Sequence, residues 1–374
     1  MMNALVSEWR RAWQDKWLIA ALTWMPILVV TLIWWIFSSG IARELPVGVV
    51  DHQSSVMSAE LVRFIDATDT LNVSAHYLSE PDAAAALKAG DIYAYVSVPL
   101  NFDRDIFFSS PPQVSVLYNS QFILVGKLIN AAMLRALGTF DAQIEVVKKL
   151  SRGNATTMSA LGQSVAVQTQ ITPLFNHNSN YSQFLVSAIV PAIWQISIFA
   201  ATILLLAMHQ RTGSFAQGFC VRRLFAVLAC YWPLFVGQGA VFLMWMYGVL
   251  GWPMHGSFVV LIIGQMAAVC ACMLMASLFF FITLDAARSM SLAAALTAPS
   301  FAFMGVTFPT TDMNSLALIW RSLLPISHYI ELQISQVSYG ADAISSLAHL
   351  MPMLGYLVVV ILLSRIIPKK LGAV

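Results

Sequence analysis

The sequence predicts an α-helical polytopic membrane protein with six transmembrane helices and an α/β extracytoplasmic domain inserted between helices 1 and 2. Three observations carry this. The chain of 374 residues is 59% hydrophobic and only 10% charged, against about 25% charged in a soluble globular protein. It contains six apolar runs of the roughly 20 residues needed to cross a bilayer. Between the first and second of these lies an interval of alternating strand and helix patterns, Ile41 to Tyr181.

The runs are Trp17–Phe37, Phe184–Met208, Leu224–Leu250, Phe258–Leu284, Ser289–Phe308 and Leu347–Ser364. Pro26, Pro191 and Pro233 fall inside them, a break that neighbouring helices tolerate in lipid. The first run is longer than the apolar core of a signal peptide, about 7–15 residues, and reads as an uncleaved anchor although Ser38–Gly40 mimics a cleavage site.

Lysine and arginine set the orientation. Arg10, Arg11 and Lys16 precede the first run, Arg211, Arg222 and Arg223 lie between the second and third, Arg288 between the fourth and fifth, and Arg365, Lys369 and Lys370 follow the sixth. The link Gly251–Ser257 has none, and the last inter-run segment has only Arg321. Both termini are therefore expected in the cytoplasm and the inserted domain outside. The boundaries expected are 1–16 for a cytoplasmic interfacial helix, 17–37 for the first span, 38–183 for the outer domain and 184–374 for spans two to six. The last region includes a cytoplasmic link at 209–223 and an outer re-entrant segment at 309–345.

Within the inserted domain Pro46–Val50 reads as a strand and Met57–Ala67 as a helix capped by Ser54 or Ser55. Leu71–Tyr77 is a second strand. Pro81–Ala89 is a helix stopped by Gly90. Ile92–Val98 and Gln113–Tyr118 are further strands, and Ile123–Leu150 is a long helix. This order suggests a small mixed sheet with helices packed on it. Thr156–Tyr181 is a polar connector.

Several chemistries are excluded or weak. The formal charge of +2 gives no electrostatic footprint for nucleic acid. Cys220, Cys230, Cys270 and Cys272 offer no disulfide framework, and neighbours two apart on a helix face different ways, so Cys270 and Cys272 read as packing residues rather than a metal pair. No HExxH, GxSxG or P-loop is present: Gly126-Lys127 lacks both the preceding glycine and the following hydroxyl residue. Asp51, at a strand end, reads as a turn residue. No catalytic, cofactor-binding or metal-ligating residues are expected. None of the six apolar cores holds Asp, Glu, Lys or Arg, whereas ion-coupled carriers bury such groups. Any active transport would draw energy from another chain.

Trp9, Trp13 and Trp17 are spaced by four and share one face of a helix, with Arg10, Arg11, Asp15 and Lys16 elsewhere. This fits a helix lying in the headgroup layer; the plainer reading is an aromatic and basic anchor. The stretch Met208–Arg223 is short and basic, with a Thr-Gly-Ser turn and a short helix expected near Ser214. It either faces a cytoplasmic partner or only fixes topology.

Several segments resemble known permeases in order and spacing: "PVGVVD" opening the inserted domain, "LKAGDIYAYVSVPLNFDRDI", "LFNHNSNYSQFLVSAIVP", "YGVLGWPMHGS", "MGVTFPTTDM" and "LLPISHYIELQISQVSYGAD". Over nearly its whole length the chain resembles the permease of type-2 ABC exporters, in the group of bacterial inner-membrane transport permeases. The resemblance implies a separate ABC ATPase, a second permease subunit in a homodimer or heterodimer, and a membrane-fusion-type adaptor outside. It implies ATPase coupling through the link after the second span; with the tryptophan helix beside it, the coupling candidates are Trp9, Trp13, Arg211, Gly213, Ser214 and Phe215, and Phe215 is expected to insert into an apolar pocket of the ATPase. The link departs from the family in lacking acidic residues. Gln195, Ser197, Gln238 and Gln265 are candidates for a substrate path, although interhelical hydrogen bonding is the commoner use of such residues. A non-transporting receptor or assembly factor with an α/β ectodomain is the alternative reading.

Overall fold

A computed structural model of the chain describes residues 8–40, 42–107, 112–151, 175–176 and 180–371. It divides into two compact units, Met1–Gly40 with Pro173–Val374, and Ile41–Thr172. Most of the polar connector Thr156–Tyr181 lies outside the described residues.

The first apolar run is not one straight helix. Residues 8–12 are helical and are followed by a turn at 13–14. Helix α1 (Lys16–Leu22) and helix α2 (Trp24–Ile36) then meet at a bend of 48°. The bend has a covalent cause. Pro26 has no N–H to donate to the carbonyl of Leu22, four residues earlier, and its ring crowds that turn. The lost bond is replaced from another helix: the Gln238 side-chain amide donates to Leu22 O. Thr23 Oγ1 bonds Ile19 O at 2.6 Å across the bend.

The second unit holds strand β1 (Leu45–Asp51), helix α3 (Val56–Asp66), strand β2 (Leu71–Tyr77), helix α4 (Glu80–Ala89), strand β3 (Ala94–Val98), helix α5 (Phe102–Phe107), strand β4 (Ser115–Tyr118) and helix α6 (Ile123–Ser151). The sheet order is β2-β1-β3-β4, parallel except for the antiparallel β3–β4 pair. Helices α3 and α4 are the crossovers that parallel neighbours require. Ser55 caps α3 in a capping box with Ser58. Asp51 closes the turn before it, accepting from Gln53 N and Ser54 N at 3.0 and 2.9 Å. Gly48 sits where a Cβ would lie 2.6 Å from the Tyr77 ring, so the glycine lets that ring pack close against β1. Helix α5 had no counterpart in the sequence reading.

Helix α6 is apolar enough over part of its length to pass as a membrane span, but it packs as a cover for the sheet. Ile129, Ala132, Met133, Ala136, Phe140 and Ile144 form one buried stripe in the core of this unit. Lys127, Arg135, Asp141, Glu145, Lys148 and Lys149 occupy the rest of its circumference.

The first unit resumes with helix α7 (Tyr181–Arg211) and a 3₁₀ turn (Ser214–Gln217). Helix α8 (Val221–Leu243) runs on as a π-helix to Val249, and helix α9 (Phe258–Thr283) follows. Next come helix α10 (Ala286–Thr297), the four-residue helix α11 (Ser300–Phe303), helix α12 (Ser315–Ser322) and helix α13 (Pro325–Val337). Helix α14 (Ala343–Ala348), a 3₁₀ stretch (Met351–Tyr356) and helix α15 (Leu357–Leu371) complete the chain. Tyr181 N donates to Gly40 O at 2.6 Å, so α7 begins where α2 has ended.

The predicted fifth span, Ser289–Phe308, is not one continuous helix. The helix there has 12 residues, roughly 18 Å at 1.5 Å per residue, and breaks before Pro299. The predicted sixth span extends beyond Leu347–Ser364, with Ala343–Leu371 long and apolar enough to cross a membrane. Among the described residues five helices, or six counting the bent pair, are long and apolar enough to cross a membrane. The chain is thus a largely helical, multi-pass membrane protein that also carries a four-stranded sheet.

Helix α13 explains the short α10. Eleven of its thirteen residues are buried. Its first free amide, Ile326 N, bonds Gln195 Oε1 at 3.1 Å, and Gln195 lies at the middle of α7. Near its other end, Gln336 bonds Ser257 N at the start of α9, 2.8 Å away. The helix therefore runs from mid-span to the end of the bundle where α7 and α9 begin, as a re-entrant element does. Arg321 on α12 forms an ion pair with Glu331 on α13, tying the two arms together.

The pairing of proline with glutamine is open to a double-mutant test. Gln238→Leu should lower stability by about 1 kcal/mol, read as the thermal midpoint in detergent. Adding Pro26→Ala restores an N–H four residues after Leu22 and should recover most of that loss. Additive effects of the two changes would refute the assignment.

Candidate functional site

Basic residues gather at one end of the bundle, where α1 starts, α7 ends, α8 starts and α15 ends. There the N-terminal helical turn is fixed by two acids. Glu8 Oε2 lies 3.1 Å from Nε2 of His209, a histidine only 1% exposed. Glu8 Oε1 is 3.5 Å from Arg11. The adjacent His209 ring holds the Glu8 carboxyl below its ordinary range, against the opposing effect of burial. Asp15 has two tasks. Its Oδ1 caps α1 by accepting from Trp17 N and Leu18 N at 3.1 and 3.2 Å, and its Oδ2 pairs with Arg211. Two carboxylates thus bind the N-terminal segment to the last turn of α7. Tyr231 on α8 completes the seat, donating to Glu8 O at 3.4 Å with its ring centroid 5.1 Å from Trp9.

Trp9, Trp13 and Trp17 do not share one continuous helix face as their spacing predicts. The helix stops at 13–14 because Asp15 caps a new one. Trp9 turns inward onto Tyr231, whereas Trp13 and Trp17 are 68% and 76% exposed, as interface anchors are.

The link after α7 is built around two left-handed glycines, Gly213 at φ +69° and Gly218 at φ +71°. Between them lies the Ser214–Gln217 turn, 3₁₀ rather than α-helical. Ser214 is buried and bonded to Thr212 at 3.1 Å. Phe215 is half-buried in an aromatic cluster with Phe219 at 4.7 Å, Phe281 at 5.7 Å and Phe280 at 6.2 Å. Its ring holds the link against the end of α9, so its removal disturbs this chain's own packing. Arg211, Thr212, Gly213, Gly218, Cys220 and Arg222 are exposed along the link.

The candidate path residues serve inside the bundle. Gln195 holds the start of α13, Gln238 the broken turn at Leu22, and Gln265 donates to Tyr329 Oη at 3.2 Å. All three are buried. Ser197 bonds Ile193 O on its own helix at 2.9 Å. Cys270 is exposed and Cys272 buried, both free, and no group of three metal-ligating side chains occurs among the described residues.

Sequence reasoning missed Glu8, Asp15, His209 and Tyr231 at the basic end. Asp15 carried a readable signal, a capping residue directly before an apolar run. The Glu8–His209 pair joins residues about two hundred apart and left no local trace.

At the other end of the bundle a cavity of about 290 Å³ opens among the first turns of α7, the last turns of α13 and the π-helical end of α8. Phe175, Phe184 and Tyr339 form its exposed lip, and Gln333, Tyr247 and Ile330 its buried floor.

No curated protein and no solved structure matches the chain. A family model does, over residues 16–366, and its description is ABC-2 family transporter protein. The match begins at the capped start of α1, takes in the sheet unit and ends within α15. The chain belongs to the ABC-2 family of transporter proteins.

Proposed function

We propose that the chain is the permease subunit of an ATP-driven exporter of the bacterial inner membrane, powered by a separate ABC ATPase. Family membership carries this reading. The clamped N-terminal turn supports it, because an element rigidly fixed to α7 and flanked by an exposed basic link can pass a push from a cytoplasmic ATPase into the spans. Two permease subunits would enclose the path. Both termini and the 209–223 link lie in the cytoplasm, following the lysine and arginine distribution. The sheet domain, 38–183, lies outside, where an adaptor of the membrane-fusion type can dock. The fifth crossing is the broken α10–α11 segment, completed by the re-entrant α12–α13 pair. Direction and topology rest on the charge pattern and on the resemblance of the outer segments.

Topology is tested by impermeant maleimide in intact cells. Ala89→Cys should label from outside, and Thr212→Cys only after the membrane is opened. The reverse pattern would overturn the orientation.

The link is tested by copurification of the ATPase. Phe215→Leu keeps an apolar side chain in the cluster and should retain the ATPase. Phe215→Asp should lose it and also lower the thermal midpoint, because a carboxylate would be buried among phenylalanine rings. Full ATPase retention and transport by Phe215→Asp would remove the link from coupling.

The clamp predicts a pH dependence. Glu8 has a lowered folded-state pKa, so its stabilising effect is present above the unfolded carboxyl pKa and is lost as pH falls through the folded value. A spin label at Trp13→Cys should be held at neutral pH, loosen on acidification, and be loose at neutral pH in Glu8→Gln/Asp15→Asn. Equal mobility in all three conditions would show that the two acids do not hold the segment.

A further inference from the structure

The cavity between α7 and α13 has a chemical character that the transport reading does not supply. Among the described residues lining it, none carries a charge. Its lip is aromatic, and Phe175 and Tyr339 meet edge to face at 5.1 Å. Phe175 holds a left-handed backbone at φ +68°, a conformation uncommon for a bulky residue. Its floor is polar and specific. Gln333 is 3% exposed, and its amide nitrogen is fully used, donating to Ser187 O at 2.9 Å and Tyr247 Oη at 3.3 Å. Its Oε1 has no partner. Tyr247 receives one bond there and donates none among the described residues. A buried amide oxygen without a donor is costly in an apolar interior. The residues of the floor thus hold one unpartnered acceptor and one hydroxyl that donates to no described residue, buried beneath an aromatic mouth, the mix typical of a small-molecule pocket.

We infer that this cavity binds an uncharged amphipathic molecule, its apolar body between Phe175, Phe184 and Tyr339 and a hydroxyl or amide group directed to Gln333 and Tyr247. An ion of either sign would leave water here without a counter-charge among the described lining residues. A hydroxyl or amide both gives and accepts a hydrogen bond and so matches the floor. Only the identification of this ligand as cargo rests on the transport reading; the site itself does not.

The test uses the full chain in phosphatidylcholine nanodiscs without an ATPase. N-phenyl-1-naphthylamine is the fluorescent probe, and empty discs set the background. Saturable binding above background is expected. Monodecanoylglycerol should displace the probe at concentrations at least tenfold lower than decyl sulfate or decyltrimethylammonium, which share its chain length but carry a charge. Val306→Trp, which fills the cavity from its wall, should abolish the saturable signal. Equal displacement by a charged competitor would overturn the inference, as would full binding by a Val306→Trp chain that melts like the wild type. If that variant does not fold, Tyr247→Phe decides: monodecanoylglycerol should compete at least threefold more weakly, and an unchanged value overturns the assignment. Binding that persists in a chain that neither couples to an ATPase nor transports would leave the site standing and remove the exporter reading. Transport without such binding would do the opposite.

Discussion

Inside a bilayer a backbone carbonyl has no water to turn to, and proline creates such carbonyls wherever it enters a helix. Much of the membrane unit is organised around that constraint. Pro26 frees Leu22 O, and Gln238 from α8 supplies the missing donor. Pro191 frees Ser187 O, and Gln333 from α13 supplies it at 2.9 Å. Helix starts pose the same problem with amides in place of carbonyls. Gln195 accepts from Ile326 N and Gln336 from Ser257 N. Each of these glutamines reaches across to a different helix. Long, uncharged and able both to donate and to accept, glutamine suits a place where an ionised side chain would be expensive. The bends and the re-entrant helix are therefore stitched to their neighbours at the points where the backbone is broken.

This constraint explains why α13 can end in the middle of the bundle. A helix terminus at that depth exposes free amides, and Pro325 at the first position removes one of them outright. Gln195 satisfies the next. The Arg321–Glu331 pair then closes the hairpin at a site where both charges are partly or wholly shielded. Breaking one partner there would strand the other, so the pair defines the geometry of the hairpin even if its net contribution to stability is small.

Much of the fold was legible in the sequence, because its signals are local. Leu71–Tyr77 was read to the residue, and β1, α3, α4 and α6 to within one or two, from capping serines, Gly90 and β-branched runs. The second, third and fourth apolar runs likewise appear as α7, α8 and α9. What failed was everything that depends on a distant partner. Hydropathy saw Trp17–Phe37 and Ser289–Phe308 as uninterrupted spans, since it scores composition and is blind to a carbonyl satisfied from elsewhere. The tryptophan spacing was real, yet Asp15 started a new helix between Trp13 and Trp17. Gln195, Gln238 and Gln265 stood out as polar residues in lipid-compatible segments, but sequence alone does not tell a tie from a binding group. Only the position of the proline four residues after Leu22 or Ser187 hints at which it is.

What separates Gln333 from the other glutamines is its place at the floor of the cavity, since Gln195 Nε2, Gln238 Oε1 and Gln265 Oε1 are also buried without a partner. Gln195 accepts from Ile326 N at the start of α13 while its Nε2 has no partner, and Gln336 uses both ends of its amide, accepting from Ser257 N and donating to Ala341 O at 2.8 Å. Gln333 mends the break at Pro191 and spends its second donor on Tyr247, yet its oxygen remains without a partner. A residue required only to mend the helix has no reason to stand at the floor of a cavity. The proline break brings the tie, and the tie fixes the amide plane rigidly against α7. A rigid polar group at the base of an uncharged aromatic mouth is what small-molecule recognition needs, so in this unit the repair of a broken helix also prepares a binding surface.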